Sequence, residues 1–542
     1  MFDQEYDVVV LGTGAAGLTA AVTAHEHGAT VGVFEKADKI GGTSAWSGGM
    51  MWIPNNPLMA EAGIDDSTEE ALTYLDSLSL DMIEPELARA LIESGPEMID
   101  FLRERTPVQF RIVAGFPDYH PERPGGKVGG GRSLECPLYP YDELGEWAAR
   151  VTVGTQLTGE LSMSETPLGR GAPDGVPREE LARRAVRDER GAGLALIGRL
   201  LRACLDRGIE PQPDMRAREL IVEDGAVRGV RFDGPDGPVD VGARGGVVLA
   251  TGGFEWDRGL VRSFLRGPMT HPVSVETNTG DGLRMAMNVG VSLGNMREAW
   301  WLPVVDITTA AGEPMRWQVN GERARPHSIM VNRRGERFVN EAANYNALGA
   351  SFHEIDVTGY DYANLPCWIV VDQQFVTKYG FVGYRGEGEP PKWLLHADTI
   401  EELADQLGVP PVALRDTIER FSAMAADGVD VDFGRGQSAN DTWWGDPALT
   451  GRVDATLGSV EVAPFYAIEV HSGSLGTKGG PRTDVNGQVL DVDENPLPGL
   501  YAAGNAMSSA MGMTYGGAGG TLGPGMTFGY LAGRHAAGAA HP

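Results

Sequence analysis

Gly12, Gly14 and Gly17 are spaced to do one kind of chemistry, the holding of a pyrophosphate. In Gly12-Thr-Gly-Ala-Ala-Gly17 the first glycine permits a tight turn and the second lets the backbone approach phosphate oxygens. The third lets a helix pack closely on a strand. Ala15 and Ala16 lie between them, where the N-terminus of a following helix offers unpaired N–H groups to an anion. Glu35 stands about 20 residues past the glycines, where a carboxylate reaches a ribose hydroxyl, and Lys36 follows it. Near the other end of the chain Tyr515 precedes Gly516-Gly-Ala-Gly-Gly-Thr521 and Leu522. The loop feeds a helix N-terminus, so Gly520, Thr521 and Leu522 can offer unpaired N–H groups to a cofactor, and the Tyr515 phenol O–H can donate to a developing oxyanion.

A lone glycine motif is weak in a chain with 75 glycines, so the elements around it decide its meaning. Tyr6 to Leu11 reads as a buried strand, Leu18 to His27 has helical spacing, and Thr30 to Phe34 reads as a second strand ending at the acid. Strand, glycines, helix, strand and acid in that order form a dinucleotide-binding unit. The segment after it separates FAD from NAD. Gly42, Thr43, Ser44, Ser47, Gly48 and Gly49 give a loop of small and hydroxyl residues that can run beside an extended cofactor. Two further strands end in small residues, one at Ala250, Thr251 and Gly252 and the other at Gly504 and Asn505.

The fold class is therefore α/β, a Rossmann-type FAD-binding domain of the glutathione reductase kind with an inserted α+β domain that caps the substrate. Ser67 and Pro85 mark helix starts between residues 60 and 105, and residues 106–190 are rich in Pro and Gly loops. An amphipathic helix over Gly193 to Arg207 precedes short strands at Glu219–Val222, Ala226–Phe232 and Val239–Val241. Composition changes near residue 275. This divides the chain into an FAD-binding domain over 1–275 and 460–542 and a capping domain over 276–459. The strand Pro464 to Val470 is placed in the returning FAD domain, and a last helix runs from about Pro524 to Ala537.

Bulk properties exclude several functions. With 45 basic and 75 acidic side chains the formal charge is −30, which argues against nucleic acid and anionic membranes as partners. Cys136, Cys204 and Cys367 are widely spaced, with no CxxC, so a disulfide framework or zinc site is not expected and a reducing cytoplasm is. No apolar run reaches the roughly 18 residues of a membrane span.

Three further segments carry a resemblance. They are Arg325-Pro-His-Ser-Ile-Met-Val-Asn332 with Gly335-Glu-Arg-Phe-Val-Asn-Glu341 and Tyr345, then Gly473 to Asp484, then Met513 to Phe528. With the Gly41-Gly-Thr-Ser-Ala-Trp-Ser-Gly-Gly49 stretch, they resemble the fumarate reductase and succinate dehydrogenase flavoprotein superfamily, and within it the 3-ketosteroid Δ1-dehydrogenases. The resemblance runs from the first strand to the last helix. Superfamily members with covalent FAD use a histidine in the 36–49 region. None stands there, so non-covalent FAD is expected.

The resemblance implies desaturation next to a ring ketone, with loss of an α proton and transfer of the β hydride to flavin N5. Tyr515 and Gly519 would hold the carbonyl, and Tyr345 would take the proton. A residue of the loop Pro117-Asp-Tyr-His-Pro121 would assist it. Alignment places His120 at that supporting position, with Tyr119 beside it as the other choice. A smaller cyclohexanone-type ketone would use the same atoms, and a quinone-like or protein acceptor would reoxidise the flavin. Fumarate-type reduction of an activated alkene is the other alternative. Fumarate reductases place an arginine acid where this chain has Ala324, between Arg323 and Arg325, and hold carboxylates with a His-Thr/His-Gly-Gly region from which Gly476-Thr-Lys-Gly-Gly480 departs. Phe116, Trp300, Trp301, Phe352 and Trp443 are candidates for an apolar pocket. His25, His271 and His353 are read as structural, the acidic run Asp427 to Asp432 as a solvated loop, and no metal site is expected.

Overall fold

The β-branched run Val8-Val-Val-Leu11 is buried on both faces, as a central parallel strand requires. In the computed structural model, which describes residues 2–154, 159–172, 175–309 and 311–541, it forms the Gln4–Leu11 strand of a seven-stranded sheet. Val31–Phe34 and Gly237–Leu249 flank it in parallel, and Pro496–Ala502 pairs in parallel with the latter. Gln488–Leu490 closes one edge, and Arg216–Glu223 and Ala226–Gly234 extend the middle strand as an antiparallel ribbon. Helix Ala15–Glu26 packs on the C-terminal helix Leu522–Ala540. Small residues allow the approach, since a Cβ on Gly529 or Gly533 would fall 2.4 Å from the Ala16 or Ala20 carbonyl oxygen.

A second seven-stranded sheet is built from Pro314–Gln318, Ala299–Thr308, Phe465–Thr477, Cys367–Val371 and Ser328–Asn332 in that order, with His271–Pro272 and Leu395–Ala397 also paired to the Phe465–Thr477 strand. One face buries Phe352, Phe375 and Phe381, and the other buries Leu403, Leu414 and Phe421 from helices Ile400–Leu407 and Pro411–Asp427. Helices Thr68–Leu78, with Ser67 as its cap, and Pro85–Arg105 lie beside a three-stranded sheet of Met51–Trp52, Gly130–Glu135 and Arg111–Ala114.

Three expectations need correction. The strand beginning near Pro464 does not return to the dinucleotide sheet: Phe465–Thr477 is a central strand of the second sheet, paired on both sides. A long apolar run buried on two faces looks alike in either sheet, and the dinucleotide sheet resumes only at Gln488. Val239–Val241 and the strand expected to end at Ala250 are one strand, Gly237–Leu249, with Ala250 to Phe254 as the loop beyond its end. Finally, Asp430 is not solvated. It is buried, ion-paired to Arg337 at 2.9 Å, and accepts from the Asp432 N–H at 3.1 Å.

Candidate active site

The C-terminal ends of the parallel strands open onto a cavity of about 850 Å³, where a doubly wound sheet places its ligand. One wall gathers Gly12, Gly14, Ala15, Ala16, Glu35, Lys36, Gly42, Thr43, Ser44, Ser47, Gly48, Gly49, Ala250, Thr251, Gly252, Gly504, Asn505, Thr521 and Leu522. The backbone there is shaped for close approach. Gly12 has φ +106°, and a Cβ on it would lie 2.3 Å from the Ala250 carbonyl oxygen. Glu35 is held by the Thr13 hydroxyl at 2.7 Å and the Ala37 N–H at 3.0 Å. Lys36 is ion-paired with Asp281 at 3.0 Å. The Thr251 hydroxyl is buried with no partner in this wall, as a group awaiting a ligand would be. These residues fit an extended dinucleotide.

The opposite part of the cavity brings together three phenols from three segments. Tyr119 comes from the Pro117–Pro121 loop, Tyr345 opens helix Tyr345–Ala350, and Tyr515 precedes the glycine turn. The Tyr119 and Tyr345 hydroxyl oxygens are 3.0 Å apart. The Tyr515 ring lies 5.0 Å from that of Tyr119 and 5.6 Å from that of Tyr345, and its hydroxyl is 3.1 Å from the Thr521 hydroxyl. Burial pushes Tyr345 well above the usual tyrosine range. Burial and Tyr515 raise Tyr119 as well, against the Tyr345 hydrogen bond and the Arg323 guanidinium. Burial also raises Tyr515, opposed by the Thr521 and Tyr345 hydroxyls and by the N–H groups of Gly519 and Thr521.

The loops that carry these phenols are cross-tied. The Tyr119 N–H and the Tyr74 hydroxyl both donate to the Gly516 carbonyl, at 2.9 and 2.6 Å. Asp118 accepts from Trp52 Nε1 at 2.7 Å and from Arg132 at 2.8 Å, which fixes the side on which Tyr119 emerges. Asn344 caps the Tyr345 helix, accepting from the Ala347 N–H at 3.0 Å. Lys478 is fully buried against Trp300, and its ammonium donates to the Met513 and Thr514 carbonyls at 2.9 and 2.7 Å. It thereby sets the approach to Tyr515. Sequence reasoning saw in Gly476–Gly480 only a departure from a carboxylate-holding pattern. A lysine between glycines is the signal that could have found this tie.

The structure separates several expected site residues. His120 does not line the cavity: its Nε2 is 3.0 Å from Asn344 Nδ2 and its Nδ1 3.6 Å from Glu122, so Tyr119, not His120, meets the Tyr345 hydroxyl. The physical reason is the Asp118 anchor, which turns the next side chain inward and the one after it outward. Gly17 is in the packing between helix and strand, since a Cβ there would strike the Gly12 carbonyl at 2.2 Å, and it does not line the cavity. Gly520 sits under the Tyr515 ring and does not line it either. Among the aromatics, Trp443 lines the cavity and Phe116 backs it at 4.6 Å. Trp300 supports Tyr515 at 4.8 Å, while Trp301 and Phe352 belong to buried clusters elsewhere. At the position expected for the fumarate reductase acid, Ala324 is buried. Arg323 donates to the main-chain carbonyls of Val319, Glu341 and Ala343, and Arg325 lines the cavity.

The FAD binding domain family matches residues 7–522. The chain belongs to that family. FAD is its cofactor, and the α/β flavoprotein fold read from the sequence is the one observed. This flavoprotein is 43% identical over 544 residues to the 4-oxocyclohexanecarboxylate 2-dehydrogenase of Sinomonas cyclohexanicum, covering 99% of this chain and 93% of the relative. It is 39% identical over 566 residues to a 3-oxosteroid 1-dehydrogenase of Mycobacterium tuberculosis, covering 98% of each. Among solved structures, the 3-ketosteroid Δ1-dehydrogenase of Sterolibacterium denitrificans, in complex with 1,4-androstadiene-3,17-dione, matches with a TM-score of 0.89 at 32% identity. That match covers 99% of this chain and 100% of the other. Among the described residues no helix is long and apolar enough to cross a membrane.

Proposed function

We propose that this flavoprotein desaturates a ring ketone at the carbons α and β to its carbonyl, the reaction expected of a 3-ketosteroid Δ1-dehydrogenase. The observation that carries the reading is the trio of phenols facing the dinucleotide wall across one cavity. Abstraction of an α proton places negative charge on the carbonyl oxygen, and donors set in advance stabilise it. The Tyr515 hydroxyl and the Gly519 N–H hold that oxygen. Tyr345 accepts the α proton as tyrosinate, and the Tyr119 hydroxyl donates to the Tyr345 oxygen while it carries charge. A base with a raised pKa is scarce in its active form at neutral pH but strong once formed. FAD, when bound, takes the β hydrogen together with the electron pair of its broken bond.

FAD is read as non-covalent because the 36–49 segment holds no histidine. Three buried, unpaired thiols suit a reducing cytoplasm, and a quinone-like or protein acceptor completes the cycle. The same catalytic atoms serve a smaller ring. The Sinomonas relative favours that second reading, as do Arg170, Arg325 and Arg385, which line this cavity. Tyr345→Phe tests the base. Its single-turnover flavin reduction by a substrate ketone is expected to fall roughly 10²- to 10⁴-fold with FAD still bound. Undiminished reduction would remove Tyr345 from the role.

A further inference from the structure

Arg170 follows the turn Pro167–Gly169, and Arg325 follows the short helix Gly321–Ala324. Both line the cavity that holds the three phenols. Each guanidinium lies against an aromatic ring, Arg170 at 4.8 Å from Trp443 and Arg325 at 5.1 Å from Tyr379. Arg170 is further held by the Thr442 carbonyl and the Thr450 hydroxyl. Arg325 is fixed at its root, since its own carbonyl accepts from the Ser328 hydroxyl at 2.7 Å and from Arg435 at 2.9 Å.

What neither has is an anion. Among the described residues neither forms an ion pair, and the Nε of each is buried without a hydrogen-bond partner. The carboxylates nearby are engaged elsewhere. Asp446 is paired with Lys378 at 2.5 Å and accepts from the Tyr379 hydroxyl at 2.8 Å. Glu322 accepts from Trp317 Nε1 at 3.1 Å and from the Asn320 N–H at 3.0 Å. Burial, and then the charge of Arg325, pull Arg170 down to about 10. A chain with 75 acidic side chains to 45 basic ones thus leaves two half-buried cations lining one cavity without an ion pair among the described residues. That arrangement is costly unless a ligand supplies the missing charge. Guanidinium forks match a carboxylate in shape as well as sign.

Packed aromatic rings, with Phe116 behind the lining, join the two ends of the cavity. The Tyr119 ring lies 6.5 Å from Phe116, Phe116 lies 4.6 Å from Trp443, and Trp443 carries Arg170. We propose that Arg170 and Arg325 form an anion subsite, and that the substrate is a ring ketone bearing a carboxylate at the end remote from its carbonyl. The inference rests on the desaturase reading and deepens it. A neutral diketone would leave both guanidiniums uncompensated.

The test uses the FAD-loaded protein and two matched pairs of ketones. One pair is 4-oxocyclohexanecarboxylate and its methyl ester. The other is a 3-oxo-4-ene steroid with a side-chain carboxylate at C17 and its methyl ester. In at least one pair the acid is expected to exceed the ester in kcat/KM by roughly 10- to 100-fold, and the responding pair gives the size of the ring system. In Arg170→Gln and Arg325→Gln that ratio falls toward one, mainly through KM, while Arg325→Lys keeps part of it. The flavin spectrum of each variant reports that the fold is intact. Equal use of acid and ester in both pairs overturns the subsite, as does a preference that survives both Gln variants. Turnover of the esters with no preference for acids leaves the desaturase reading standing without this inference. Failure of every ketone to bleach the flavin removes both.

Discussion

Tyr119→Phe isolates one hydroxyl in the proposed mechanism. The Tyr119 ring packs on Phe116, Tyr345 and Tyr515 at 6.5, 5.4 and 5.0 Å, and phenylalanine keeps all of that surface. The hydroxyl has Tyr345 as its hydrogen-bond partner, at 3.0 Å. Its removal therefore takes one donor from the Tyr345 phenolate and little else. A hydrogen bond to a charged oxygen contributes about 1.5–3 kcal/mol, so the chemical step slows roughly 10- to 150-fold. The same energy appears as a shift of about 1–2 units in the pKa of the base. The sign follows from the form that acts. Tyr345 works deprotonated and burial has already raised its pKa, so the rate climbs with pH into the alkaline range. In Tyr119→Phe that climb moves to still higher pH. Anaerobic stopped-flow of flavin reduction across pH, at saturating ketone, reads both effects, and substrate binding is expected to change only a few-fold. A wild-type rate and pH profile in Tyr119→Phe, with a tenfold loss in His120→Ala, would refute the reasoning and return the supporting role to the imidazole.

Other perturbations act through packing and charge. Gly519 has φ +99°, and a Cβ there would stand 2.5 Å from the Met51 nitrogen, so Gly519→Ala must shift the oxyanion loop. Flavin reduction in it is expected to fall at least tenfold with FAD content preserved, which absorbance and single-turnover kinetics check together. Glu341 is wholly buried, with Arg337 at 2.7 Å and Arg435 at 3.2 Å. Burial works to raise its pKa, but Arg337 and Arg435 prevail and hold it below the usual carboxylate range. Glu341→Gln leaves buried Arg435 without its carboxylate, while Arg337 keeps Asp430, and is expected to cost ~3–5 kcal/mol, read as a lower Tm. Because the folded pKa is depressed, the contribution of the native pair is complete above roughly pH 4–5. It fades as pH falls through the folded value, so the Tm gap between wild type and variant narrows in acid.

How far the sequence could be read depended on whether the chemistry was local. Gly12, Gly14 and Glu35 announce themselves because a turn, a helix start and a strand end follow within a few dozen residues. Tyr345 and Tyr515 were found through resemblance, since nothing in their immediate spacing brings segments so far apart together. The choice between Tyr119 and His120 is a matter of one residue. It is decided by Asp118, Arg132 and Trp52, whose meeting is a property of the tertiary fold. The Phe465–Thr477 strand went to the wrong sheet because strand length and hydrophobicity carry no record of which neighbours a strand pairs with. Arg170 stands in a loop with no motif around it and Arg325 opens a segment read for another reason, so only the shared cavity shows them to be a pair.

The central claim is dehydrogenation of a ring ketone between its α and β carbons. It is tested most directly by mixing the FAD-loaded protein anaerobically with 4-androstene-3,17-dione and, separately, with 4-oxocyclohexanecarboxylate. Flavin absorbance and product mass are followed together. The account predicts bleaching by at least one of them, with one equivalent of product lighter by two hydrogens and a new double bond conjugated to the carbonyl. Intact yellow protein that neither ketone bleaches, and that when reduced by dye is reoxidised by fumarate, would contradict it.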